Sequence, residues 1–183
     1  MSCLIANGRE EQCKDSISGL QAIYFINYGD FAPSDVTYDV SNEDLITAIA
    51  NVTSIYKYDL KGANTFDTTI QSSRDNGTTF FEQTLTIQLK RQDATTHKNV
   101  KLLAYGRPHI IVHSRNNQFF MMGLVEGADV NAGKVSSGTA YADFNGYEFT
   151  FLAQEKLPAN FIDATDESDL ATTVLGGATI VTS

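Results

Sequence analysis

The stretch SSRDNGTTFFEQTLTIQLK, residues 72–90, decides how the rest of the chain is read. From Phe81 onward the apolar residues Phe81, Leu85, Ile87 and Leu89 alternate with Glu82, Thr84, Thr86, Gln88 and Lys90, the two-residue period of a strand with one dry face and one wet face. Asn76-Gly77 supplies a turn, read here as type I′, whose two positive-φ residues match the twist of the flanking strands. Upstream, Tyr56, Tyr58, Leu60, Phe66 and Ile70 share one parity, while Lys57, Asp59, Lys61, Asp67 and Gln71 take the other. The reading is a long β-hairpin whose arms of about 14–18 residues would span on the order of 45–60 Å at ~3.3 Å per residue, unless the first arm bends at Gly62.

Working outward, LQAIYFINYG (20–29) reads as a strand, and 36–40 and 45–49 as two short ones. ATTHKNVKLLAYGRP gives the one helix, about 95–105. Val100, Leu103 and Ala104 form its stripe, Gly106 suits a left-handed C′ position, and Pro108 blocks continuation. Residues 109–114 and 118–124 form a hairpin turning at Arg115-Asn116-Asn117. GTAYADF and YEFTFLAQE pair across Asn145-Gly146, and the glycines of GLVEGADVNAG (123–133) read as turns. The expected fold is mainly β: an antiparallel β-sandwich or barrel with a long hairpin and one flanking helix. Residues 1–163 make the domain. Residues 164–183 form a C-terminal extension with few large apolar side chains, read as an inter-subunit arm, with plain disorder as the alternative.

Lys+Arg 13 against Asp+Glu 22 gives a formal net charge of -9, which disfavours adhesion to phosphate backbones. Cys3 and Cys13, with no basic-then-apolar leader ahead of them, read as reduced cytosolic thiols, with a disulfide between them the lesser alternative. No apolar run approaches the ~18 residues that span a bilayer, so no membrane partner is expected. The chemistry of catalysis is thinly represented. His109 and His113 face the same way on a strand without a nearby Cys, Asp or Glu, which favours packing over metal binding. The acids Asp163, Asp166, Glu167 and Asp169 lack the alternating ligands and central glycine of a calcium loop. No nucleophile elbow or phosphate loop is present, so the expectation is a non-enzyme without cofactor or metal.

What remains is a hairpin with no proline between Tyr56 and Arg91, and such unprotected edges invite pairing with another chain. Neighbouring copies joined side by side would form a continuous sheet, and a closed one would line a water-filled bore with Thr, Gln, Asp and Glu. The residues expected at that interface or channel wall are Lys57, Asp59, Asp67 and Gln71 from the first arm. The tip adds Arg74, Asn76 and Gly77, and the second arm Glu82, Thr84, Thr86 and Gln88.

Taken in order, GREEQCKDSISGLQAIYFINYG, ITAIANVTSIYKYDLKGANTF with NGTTFFEQTLTIQL, RNNQFFMMGLVEGADV and GTAYADFNGYEFTFLAQEKLPANFI resemble the tail-tube-like proteins of tailed bacteriophages along most of the chain. The resemblance implies a structural virion protein, assembled in the host cytoplasm as a homohexameric ring. Such rings stack in a tail or neck around the channel through which genomic DNA leaves, touching other tail or neck proteins without binding the DNA specifically. The twenty-odd residues after PANF depart from that pattern and put a plain repeating tube subunit in doubt. The competing reading is a β-sandwich module on a virion or cell surface that recognises a carbohydrate or protein through loops such as 125–134, although the chain has no Trp for an aromatic platform.

Overall fold

The computed structural model describes residues 8–11 and 13–182. Its strands are β1 (Leu20–Ile26), β2 (Val36–Tyr38), β3 (Leu45–Ile49), β4 (Ser54–Asp59), β5 (Thr65–Ser73), β6 (Thr78–Lys90), β7 (His109–Ser114), β8 (Phe119–Met122), β9 (Asp129–Ser136), β10 (Gly146–Glu155), β11 (Asn160–Ile162) and β12 (Thr179–Val181). They form two sheets: eight strands in the order β12-β4-β1-β7-β8-β11-β3-β2, and four in the order β5-β6-β10-β9. The fold is mainly β with one flanking helix, α1 (Ala94–Tyr105).

The larger sheet is dry on both faces because its central strands carry apolar runs rather than alternation; β1 reads LQAIYFI, with Ile23, Tyr24, Phe25 and Ile26 all buried. One face packs Ile23, Phe25, Ile110 and Val112 against Leu85, Ile87, Phe149 and Phe151 of the smaller sheet. Val100 of α1 joins this layer. On the other face Ile55 of β4 and Ile46 and Ile49 of β3 belong to one cluster, although four strands separate β4 from β3 in the sheet order. The sheet must therefore curl, and what fills the curl is Leu170, Val174 and Leu175 from the C-terminal segment.

That segment corrects the arm reading. An α turn (Glu167–Asp169) runs into a π turn (Leu170–Val174), and β12 then pairs in parallel with β4 of the same subunit. Few apolar residues suffice because each is fully used: Leu170, Val174 and Leu175 are buried, and Gly177 and Ala178 return their N–H groups to Ala171 O. Three of its acids serve as caps and a pair partner. Asp166 Oδ1 accepts from Asp169 N, Asp169 Oδ2 accepts from Thr165 N, and Glu167 meets Lys57.

The long first arm is likewise two strands in different sheets. β4 lies beside β1, and after Leu60–Asn64, with Gly62 at φ 105, the chain crosses to the smaller sheet as β5. The bend at Gly62 is thus where the hairpin ends. β6, with 13 residues, spans about 43 Å at ~3.3 Å per residue, but it is paired to β10 from Phe81 to Lys90, so only the pairs from Gln71↔Phe80 outward project. The tip is not type I′. The last pair is Ser73↔Thr78, and in the four-residue loop only Gly77 is left-handed (φ 63), with its N–H donating to Arg74 O.

Three further expectations change. GTAYADF is a loop, and the partner of β10 is β9, from the stretch read as turns; its residues are nearly all exposed, so it carries no period-2 signature. Helix α1 starts one residue earlier, capped by Asp93 accepting from Thr95 N and Thr96 N. Gly106 is extended (φ -92, ψ 170) rather than left-handed: its N–H closes the last turn on Leu102 O, and the chain leaves straight into Arg107, the residue that Pro108 itself biases toward extended backbone. The strands at 45–49 and 109–114 match the sequence reading. Cys13 is exposed and free, while Cys3, its expected alternative partner, lies outside the described residues.

Candidate functional site: a polar sheet face with two free edges

In the four-stranded sheet, odd-numbered residues of β6 and β10 turn inward, and the even-numbered ones present the opposite face to solvent. Cross-strand registers set its rows: Gln88 opposite Glu148 and Glu148 opposite Lys134; Thr65, Thr86 and Thr150; Asp67 opposite Thr84; Thr69, Glu82 and Gln154. Thr86 Oγ1 and Thr150 Oγ1 are 3.5 Å apart, and Gln154 Nε2 donates to Glu82 Oε2 at 3.2 Å. The face is mostly hydroxyls, amides and carboxylates, interrupted by the cations Lys90 and Lys134 and by the apolar side chains of Phe80, opposite Gln71, and Leu152.

Of the residues expected from the sequence, Asp67, Gln71, Glu82, Thr84, Thr86 and Gln88 share this face, and Arg74, Asn76 and Gly77 form the loop at its end. Lys57 and Asp59 do not belong to it. They sit in β4 of the other sheet, where Lys57 Nζ lies 2.6 Å from Glu167 Oε2 and 3.4 Å from Asp59 Oδ1. Sequence reading missed Lys134, Glu148 and Thr150, which reach the face through β9 and β10. The alternation of YEFTFLAQE could have pointed to Glu148 and Thr150; nothing local marks Lys134.

Among the described residues, neither β5 nor β9 has a strand partner on its outer side. Each edge carries an exposed aliphatic side chain on the inward parity: Ile70, opposite Phe81, is 64% exposed, and Val135, opposite Tyr147, is 47% exposed. β5 has no proline or lysine to blunt it.

The histidines are packing residues. His109 Nδ1 is 2.6 Å from Gly123 O, with its ring against Tyr28 and Phe31, and His113 stacks on Phe119 with Nε2 3.0 Å from Asn117 Oδ1. Burial pushes both imidazoles below their ordinary range. Among the described residues no three or more His, Cys, Asp or Glu side chains are placed to hold a metal ion. No helix among them is long and apolar enough to cross a membrane.

Such a face is hydrophilic across its rows, and each edge strand has main-chain groups without a strand partner. No protein-family model, curated protein or solved structure matches this chain.

Proposed function

We propose that the protein is a ring-forming structural subunit whose four-stranded sheets join edge to edge and line a channel for DNA, as in the tail or neck of a phage virion. The carrying observation is the conjunction, in one sheet, of a polar outer face with two unpaired edges. The strands alternate in direction from β5 through β6 and β10 to β9. A rotated copy that sets its β5 beside β9 therefore continues the antiparallel pattern. That contact is heterologous, so it builds a ring where the rotation between copies closes, as this reading requires. It would also cover Ile70 and Val135, extending the inter-sheet core from one subunit into the next.

Six copies would give a closed sheet of about 24 strands. With ~4.8 Å between strands and a tilt of about 40°, its backbone diameter is roughly 48 Å, which leaves a bore of roughly 35–40 Å inside the side chains. That is wider than a DNA duplex. The formal charge of -9 agrees with a passage that does not grip its cargo.

The test is negative-stain imaging of purified protein at high concentration beside Ile70→Lys and Val135→Lys variants, since an inward-pointing edge charge opposes strand addition. Annular end views are expected for the unaltered chain and none for either variant, with monomer stability changed by less than about 1 kcal/mol because both sites are exposed. Annuli that survive both substitutions would refute the edge-to-edge wall.

A further inference from the structure

The loop between β9 and β10 and the cleft beneath the β5–β6 tip lie at opposite ends of the same sheet. Ser136 and Gly146 bracket the loop beside Lys90 at the end of β6, whereas the cleft is lined by Thr79 and Phe80 at the start of β6, about 35 Å away at ~3.3 Å per residue.

The loop is held in one shape. Asp143 Oδ2 accepts from Thr139 N at 2.8 Å and Ala140 N at 2.7 Å, and Gly138 takes φ 71, where an added Cβ would meet Asp143 at 2.7 Å. Tyr141, at the apex of this turn, is fully exposed. A rigid turn that leaves a tyrosine wholly in water gains nothing for its own subunit, and it matches the aromatic anchors that dominate binding hot spots.

The cleft has the complementary defect. It encloses about 560 Å³, with walls formed by Pro33, Leu124, Leu157 and Pro158 among others. Asn160, 2% exposed, has a buried Nδ2 with no hydrogen-bond partner. Glu155 also lines the cleft, its Oε1 accepting from Val125 N and Glu126 N. A buried amide donor without an acceptor is costly, and a partner that brings an oxygen relieves it.

We infer that the cleft receives Tyr141 of a second copy stacked along the strand direction, its ring between the prolines and Leu157, its phenol oxygen accepting from Asn160 Nδ2 and its O–H donating to Glu155. The two surfaces sit at opposite ends, so the contact is heterologous and builds a stack rather than a closed pair. The inference takes its axis from the ring reading: edge pairing makes one layer, and this contact joins layers.

The experiment places the photo-crosslinker p-benzoylphenylalanine at position 141 of the full chain, irradiates it at concentrations where self-association is seen, and maps the linked peptides by mass spectrometry. Linkage to residues 154–160 or 121–126 of another copy is expected. Tyr141→Ala should weaken stacking roughly 30-fold and Tyr141→Phe about 5-fold, as for loss of an anchor and of one hydrogen bond. Asn160→Leu should weaken stacking without lowering the monomer's melting temperature, a split that a merely structural Asn160 would not show. Annuli whose linkages map elsewhere would overturn the inference and leave the ring reading intact, whereas linear stacks with the expected linkage and no annuli would do the reverse. A chain that stays monomeric at every concentration reached overturns both.

Discussion

Lys57 Nζ lies 2.6 Å from Glu167 Oε2, joining β4 to the helical turn that plugs the curled sheet. Their side chains are 18% and 34% exposed, so the pair is only partly shielded from water. Tyr24 stands opposite Lys57 on the neighbouring strand, its hydroxyl beside Glu167 but without a well-formed hydrogen bond. His113 lies two residues further along the same face, across β1 at Ala22.

A double-mutant cycle with Lys57→Met and Glu167→Gln should give a coupling energy of about 1 kcal/mol, discounted from a fully buried pair for the remaining exposure. Urea unfolding of the four proteins measures it. Additive effects would mean that the pair contributes no net stability.

The same pair sets the alkaline limit. The hydrogen bond that Lys57 donates to Glu167, opposed by burial, raises Lys57 above its ordinary value of 10.5, and burial together with Glu167 raises Tyr24 above 10.0. Groups whose folded pKa is raised hold their stabilisation below the unfolded value and lose it as pH rises through the folded one. Stability should therefore be flat to about pH 10 and fall above it. Tyr24→Phe should move the alkaline midpoint upward with little change at neutral pH, as read by circular dichroism against pH.

On the acid side the sign reverses. His109 and His113 are lowered by burial from 6.5, so their neutral forms favour folding above that value, and the gain drains away as pH falls below it. The melting temperature should drop between pH 7 and pH 5, and His113→Gln should flatten part of that slope. A pH-independent melting temperature over this interval would contradict the buried, neutral assignment.

Deleting residues 166–183 removes Leu170, Val174, Leu175 and Ala178 from the core and β12 from the edge of β4. Burial of the three larger side chains contributes on the order of 4.5–9 kcal/mol at ~1.5–3 each, comparable to the whole stability of a domain. The truncated chain should fail to fold as a monomer, giving a far-UV spectrum without the native β signal.

Gly123 has φ 65, and a Cβ there would lie 2.6 Å from the Gly127 carbonyl carbon and 2.8 Å from its oxygen. Backbone cannot give way as a flexible side chain can, so Gly123→Ala should cost more than about 2 kcal/mol in chemical denaturation. Gly77→Ala, also left-handed but with nothing within 4 Å, should cost only about 1 kcal/mol.

By itself the sequence determined those parts whose signal is carried within one segment. The period of Phe81 to Leu89 showed β6, its dry face and its wet one, and hence Glu82, Thr84, Thr86 and Gln88 on one surface. The apolar run before Gly29 showed β1, and the stripe and Pro108 stop of ATTHKNVKLLAYGRP showed the helix at about 95–105, though not its Asp93 cap. Tertiary structure alone decided which sheet each strand joins. Tyr56 to Ile70 keeps a single parity along the chain, yet the crossing at Gly62 sends Lys57 to one sheet and Asp67 to another, because parity records faces and not partners. β9 is held by its pairing to β10 rather than by side chains of its own, so its polar, exposed sequence resembles a loop. The C-terminal plug is poor in large apolar residues, so composition alone gives it no core. Three aliphatic side chains become a core when a curled sheet surrounds them, and that enclosure is built from strands up to 150 residues away in the chain.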